Sequence, residues 1–99
     1  MKLTVEISLY PMRPDYVPPI RDFIALLNGH PGLRVTTYPT STVLVGDFDQ
    51  VMSVLAEAMK VSYRRFGMEV FVTKFLSGYD ADDAGLANTG SESRSDSDP

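Results

Sequence analysis

The order of hydrophobic periodicities along this chain limits its fold more than any other feature. From residue 3 to residue 10, apolar and polar side chains alternate, which is typical of a strand with one buried face. Apolar side chains recur three or four residues apart over 20–27 and again over 48–66, as on one face of a helix. Two short apolar stretches lie between these segments and one follows them. The chain is therefore predicted to fold as strand–helix–strand–strand–helix–strand.

Prolines, glycines and acids mark the ends of the predicted elements. The two prolines at 18–19 are tolerated in the first turn of a helix, and the sequence at 28–32 is a dense helix stop signal. Asp47 or Asp49 is expected to cap the second helix, and Asp47 with Gln50 resembles a capping box. The predicted strands are 3–10, 33–38, 41–46 and 68–76, the first helix is about 19–28, and the second ends near Gly67.

This order predicts one architecture. Each strand–helix–strand unit needs a right-handed crossover, and the short link at Pro39-Thr40 makes the central strands an antiparallel hairpin. The result is an α+β, ferredoxin-like fold: a four-stranded antiparallel sheet of order 4-1-3-2 with both helices on one face. The other face, called here the outer face, can pair with a second copy, bind a ligand or nucleic acid, or be covered by the tail.

We expect the outer face to mix aromatic and small polar side chains, which suits a sheet-to-sheet contact with polar pockets. The side chains predicted to lie on it are Thr4, Glu6, Ser8 and Tyr10 from the first strand and Phe71, Thr73 and Phe75 from the fourth.

The net charge of −4 is concentrated in the last twenty residues. Residues 1–79 carry eight basic and seven acidic side chains, whereas residues 80–99 carry six acidic side chains and one basic. A serine- and aspartate-rich segment with one leucine and no aromatic residue cannot bury enough apolar surface to offset the entropy of ordering it. We therefore predict one domain over 1–79 and a disordered acidic tail over 80–99.

The composition lacks the residue types that several classes of function need. Without cysteine the chain has no disulfide or thiolate metal site, and with polar residues throughout its first strand we expect a cytoplasmic protein with no membrane partner. His30, the only histidine, lies in a turn, so we expect no catalysis, no metal and no cofactor. Asp47 and Asp49 could bind a hard cation, but helix capping explains them more simply. A near-neutral body, with no aromatic residue at 42–46, argues against RNA binding.

The polar groups expected to converge lie on the two central strands and at their ends. As a set they suit a planar, polar, cationic ligand, because tyrosine offers a stacking face, hydroxyls satisfy ring nitrogens, and a carboxylate offsets positive charge. The alternative is that the hydroxyls fill strand positions and the tyrosines serve an interface. The candidate ligand-binding residues are Glu6, Ser8, Tyr10, Tyr38, Ser41, Thr42, Asp47 and Asp49.

Two stretches resemble a known family. Residues 1–11, MKLTVEISLYP, resemble the first strand of the YkoF-like thiamine/hydroxymethylpyrimidine-binding proteins. Residues 39–52 resemble that superfamily's Ser-Thr-x-x-x-Gly-x-x-Asp/Glu-x-Val element, although Val45 stands where members often have an acid. The resemblance extends from Met1 to about Gly78.

The resemblance implies a ferredoxin-like homodimer or homotetramer that pairs through its sheets. It further implies non-catalytic binding of thiamine or its hydroxymethylpyrimidine moiety, with Ser41 and Thr42 as the main contacts and Ser8 and Glu6 beside them. The alternative is a structural or regulatory homo-oligomer without a small ligand.

Overall fold

Four strands and two helices follow one another in the predicted order. The computed structural model describes residues 1–81. Every predicted bound lies within two residues of the observed one. The elements are β1 Lys2–Pro11, α1 Val17–Asn28, β2 Arg34–Thr37, β3 Thr42–Asp47, α2 Phe48–Phe66 and β4 Glu69–Ser77.

The sheet is antiparallel throughout, with strand order β2-β3-β1-β4. This confirms the predicted α+β, ferredoxin-like arrangement. β1 and β3 are central, so their ends are the places where side chains from several elements can meet.

The core lies between one face of the sheet and the two helices. Alternate residues of β1 point into it, and α1 and α2 each contribute residues spaced three or four apart. Each fully buried aliphatic side chain contributes about 1.5–3 kcal/mol by leaving water. The core includes Leu3, Val5 and Ile7 of β1, Leu44 of β3, Phe23 and Leu27 of α1, and Val51 and Leu55 of α2.

The face assignment predicted for the fourth strand is wrong. Ser8 pairs with Val72 and Glu6 with Lys74, and directly paired residues lie on the same face of a sheet. Phe71 therefore faces the helices, where its ring lies 5.1 Å from that of Phe23. Both faces of β4 carry apolar residues, so alternation alone could not assign them. The outer face of β4 presents Val70, Val72, Lys74 and Leu76, whereas Phe71, Thr73 and Phe75 lie on the helix side.

The capping box predicted at the start of α2 is also wrong. Asp47 is the N-cap residue, but its side chain makes no capping hydrogen bond. Its carboxylate instead lies 3.6 Å from the Met1 ammonium group, and the Phe48 N–H donates to the Met1 carbonyl at 2.9 Å. Asp49 lies in the first turn of α2, where a negative charge favours the helix dipole.

After β4 the chain crosses the outer face as a C-terminal strap, residues 78–81. Gly78 turns the chain with a φ of 80°, and the Thr4 hydroxyl donates to the Tyr79 carbonyl at 2.6 Å and accepts from the Ala81 N–H at 3.1 Å. The Asp80 carboxylate pairs with Arg34 of β2 at 2.8 Å. Asp80 and Ala81, assigned by the sequence to the tail, thus contact the sheet; the rest of the predicted tail, 82–99, lies outside the described residues.

Candidate functional site

A pocket opens at the end of the sheet where the β2–β3 hairpin turns. Its volume is about 470 Å³, within the range of about 300–1,000 Å³ that is usual for small-molecule sites. One wall is the C-terminal half of β1, the second is the hairpin at 37–42, and the third is the middle of α1 with the loop before it. The pocket therefore depends on three elements that are far apart in the sequence.

The walls are largely aromatic and aliphatic. Tyr10, Tyr16 and Tyr38 line the pocket, and each side chain is more than half exposed. Ile20 and Ile24, one helical turn apart on α1, form the apolar side. Flat tyrosine rings beside aliphatic side chains can hold a planar heteroaromatic ring by stacking and by excluding water.

Two serine hydroxyls at the pocket already donate their proton to another group of the protein. The Ser8 hydroxyl donates to the Thr40 carbonyl at 2.8 Å, and the Ser41 hydroxyl donates to the Glu6 carboxylate at 3.2 Å. A hydroxyl that donates its only proton still has lone pairs with which to accept. Both serines therefore offer acceptors to a ligand.

Ser41 and Thr42 lie on opposite faces of the sheet. Thr42 pairs with Ile7 on the helix side and is buried, whereas Ser41 reaches Glu6 on the outer face. Consecutive residues of an extended chain point in opposite directions, which explains the difference. Both nonetheless border the pocket, because it wraps around the hairpin end of the sheet.

The structure brings together most, but not all, of the residues that the sequence nominated. Glu6 lies one hydrogen bond away from the pocket, through Ser41, and its other oxygen is 3.4 Å from the Lys74 ammonium group on the outer face. The nominated residues that line the pocket are Ser8, Tyr10, Tyr38, Ser41 and Thr42.

Asp47 and Asp49 lie away from the other nominated residues. Asp47 pairs with Lys2 in the β1–β3 register, at the opposite end of β3 from Thr42, and Asp49 follows it in α2. Asp47 lies five residue steps along the strand from Thr42, which is about 17 Å at the usual rise. The expectation that all eight side chains converge is therefore not met.

Sequence reasoning missed the contributions of the loop and of α1. Arg13 and Tyr16, from the connection between β1 and α1, line the pocket, as do Ile20 and Ile24. The central carbon of the Arg13 guanidinium lies 5.5 Å from the ring centroid of Phe66 on α2. A loop that directly follows the polar end of a central strand is a common place for binding residues. The position of Arg13 and Tyr16 in such a loop could therefore have indicated that they line the pocket.

The described residues also bear on a metal site, on the position of His30 and on a membrane span. Among residues 1–81, no three histidine, aspartate or glutamate side chains are grouped so that they could hold a metal ion. His30 borders a separate, open depression along α2 with Gln50 and Lys60. Neither of the two described helices is long and apolar enough to cross a membrane.

Several solved structures share this fold. A Streptococcus pneumoniae protein is 23% identical, with a TM-score of 0.76 over 89% of this chain and 98% of that one. A hypothetical protein from Methanocaldococcus jannaschii is 21% identical, with a TM-score of 0.74 over 90% and 96% of the two chains. A proposed thiamine biosynthesis/salvage protein from Thermotoga maritima is 19% identical, with a TM-score of 0.74 over 91% and 97%. At these identities the likeness establishes the fold.

Comparison with curated proteins found no match. The profile of the YKOF-related family, in contrast, matches residues 2–77, from the first residue of β1 to the last residue of β4. The match includes the hairpin that forms one wall of the pocket and confirms the resemblance seen at 1–11 and 39–52. This chain belongs to the YKOF-related family.

Proposed function

We propose that this protein binds thiamine or its hydroxymethylpyrimidine moiety, without converting it, in the pocket at the hairpin end of the sheet. The observation that carries the proposal is a pocket of about 470 Å³ in which three tyrosines and the hydroxyl residues Ser8, Ser41 and Thr42 meet. Membership of the YKOF-related family supports it, as does the likeness to the Thermotoga maritima protein.

The hydrogen-bond state of the serines suits an aminopyrimidine. An amino group on the ring is a donor of two protons, and the hydroxyls of Ser8 and Ser41 are oriented as acceptors by their own bonds to Thr40 and Glu6. Stacking against Tyr10 or Tyr38 would hold the ring plane. The ring would thus be recognised by its flat face and its donor edge together.

Binding without chemistry is supported by the side chains at hand. Among the described residues that line the pocket there is no histidine, lysine or acid. Of the side chains that commonly transfer protons in catalysis, only tyrosines are found among these lining residues. The Glu6 carboxylate, one hydrogen bond away through Ser41, is already bonded to Ser41 and paired with Lys74.

Pairing of two copies through the outer face is the second part of the proposal. Tyr10, Val70 and Val72 are exposed there, with 55% of Val72 accessible to solvent. A body of about eighty residues buries a modest share of its surface alone, and covering these side chains would add to it. The same patch supports the alternative function, a structural or regulatory homo-oligomer that takes no small ligand.

Thermal unfolding with and without ligand tests the proposal. A ligand that binds only the native state at about a hundred times its Kd stabilises it by about 2.7 kcal/mol. For a domain of this size we expect the Tm to rise by about 10–20 °C with thiamine or hydroxymethylpyrimidine. An unrelated heteroaromatic of similar size, such as nicotinamide, serves as the control and is expected to leave the Tm unchanged.

Sedimentation of the same samples separates the two functions. A dimer or tetramer at micromolar concentration whose Tm does not respond to millimolar thiamine or pyrimidine would favour the ligand-free oligomer. A ligand-responsive monomer would contradict the sheet-paired assembly and leave the binding function standing.

A further inference from the structure

Arg13 is the one charged side chain among the described residues that line the pocket. It lies in the connection between β1 and α1, and its guanidinium rests over the Phe66 ring at 5.5 Å, a cation–π contact. This contact ties the loop to the end of α2 and holds the charge at one edge of the pocket.

No acid within residues 1–81 neutralises this arginine. No described carboxylate lies within ion-pair distance of it, and the neighbouring Asp15 makes no bond to it. The carboxylate of Glu6 is bonded to Ser41 and paired with Lys74. Among the described residues, the pocket lining therefore carries one positive charge, that of the exposed Arg13, and no negative charge.

The start of α1 adds to this positive potential. Tyr16, the N-cap residue, makes no side-chain capping bond, and no acid lies in the first turn. Within its first turn, therefore, no acidic side chain offsets the positive end of the helix dipole beside the pocket. Because Pro18 and Pro19 have no N–H, the helix offers an anion mainly its field, and Arg13 is the side chain that can supply charged donors.

We propose that the ligand of this pocket carries a phosphate ester, which Arg13 binds while the heteroaromatic ring lies among the tyrosines. The planar guanidinium matches two phosphate oxygens with parallel N–H donors. The inference rests on the proposed function and narrows its ligand class: phosphorylated hydroxymethylpyrimidine or a thiamine phosphate is preferred over the uncharged or cationic parent. Arg13 is then the residue that determines specificity.

Calorimetric titration of matched ligand pairs tests this inference. Hydroxymethylpyrimidine is compared with its phosphate monoester, and thiamine with thiamine monophosphate, on the full chain. We expect each ester to bind at least about tenfold more tightly than its parent, as is usual for a hydrogen bond to a charged group. Arg13→Gln should remove most of that preference by weakening the binding of each ester.

The controls separate charge, geometry and general electrostatics. Arg21→Gln removes an exposed arginine of α1 that does not line the pocket and should leave the ester preference intact. Arg13→Lys keeps the charge without the planar fork and should retain an intermediate preference. Inorganic phosphate alone should bind at least tenfold more weakly than either ester, since it lacks the ring.

Each other outcome overturns a defined claim. Equal affinity for ester and parent in the wild type would overturn the phosphate inference while leaving the proposed function intact. An ester preference that survives Arg13→Gln would overturn the role of Arg13. Failure of all four ligands to bind would overturn the proposed function and, with it, the inference.

Discussion

The Glu6 carboxylate holds two groups in place on the outer face of the sheet. One oxygen accepts from the Ser41 hydroxyl at 3.2 Å and the other lies 3.4 Å from the Lys74 ammonium group. The pair with Lys74 is largely exposed and contributes little to stability. The bond to Ser41 matters for a different reason, because it orients the serine as an acceptor toward the pocket.

Ser41→Ala tests this single-residue role. Loss of one neutral hydrogen bond to a ligand lowers its affinity by about two- to tenfold, since such a bond contributes about 0.5–1.5 kcal/mol. We expect a calorimetric titration with thiamine or hydroxymethylpyrimidine to show that loss of affinity. The Tm of the ligand-free variant should change little. Ser53→Ala, an exposed serine of α2 outside this pocket, is the matched control, and equal affinity of the two variants would contradict the assignment of Ser41.

At the scale of elements, the end of α2 is attached to the start of β4 by one buried hydroxyl. Ser62 has no exposed surface, and its Oγ lies 2.8 and 2.9 Å from the two carboxylate oxygens of Glu69. The connection between the two elements turns at Gly67, whose φ of 83° disfavours other residues. The hydroxyl and the turn together set where β4 begins, and hence its register against β1.

Ser62→Ala is expected to lower the free energy of unfolding by about 1.5–3 kcal/mol, because a half-buried carboxylate loses its donor. The Tm should fall by about 4–8 °C for each kcal/mol lost. Ser53→Ala, on the exposed side of the same helix, should change stability by less than about 0.5 kcal/mol. Denaturant unfolding measures both variants, and similar midpoints for the two would show that the Ser62–Glu69 bond is not stabilising.

At the scale of the whole molecule, the outer face is divided in two. The C-terminal strap covers the end at Thr4 and Val45, whose exposed fractions are 4% and 1% although neither described helix lies on that side. The other end, with Val70 and Val72, is open. The second copy that we propose would therefore meet the open end, which adjoins the pocket at Tyr10.

Two truncations distinguish the strap from the rest of the C-terminal segment. A chain ending at Ala81 keeps every described contact and should unfold within about 2 °C of the full chain. A chain ending at Ser77 loses both bonds of Thr4 and exposes Val45, and its free energy of unfolding should fall by about 1–3 kcal/mol. If the two truncated chains unfolded at the same temperature, the strap would have no stabilising role.

The periodicities of the sequence determined the element order, and the order with right-handed crossovers determined the sheet. They also placed Ser8, Tyr10, Tyr38, Ser41 and Thr42 near the hairpin end of the central strands, because strand ends follow from local signals. These inferences hold because alternation and turn residues act over a few positions of the chain.

The tertiary structure alone decided which face of β4 meets the helices and which residues form the pocket. β4 is apolar on both faces, so its pairing register with β1 chose which face meets the helices. Asp47 lies at the far end of β3 from the pocket, and Arg13 with α1 forms a wall that the sequence did not predict. Each of these depends on contacts between residues far apart in the chain, which leave no periodic signal in the sequence.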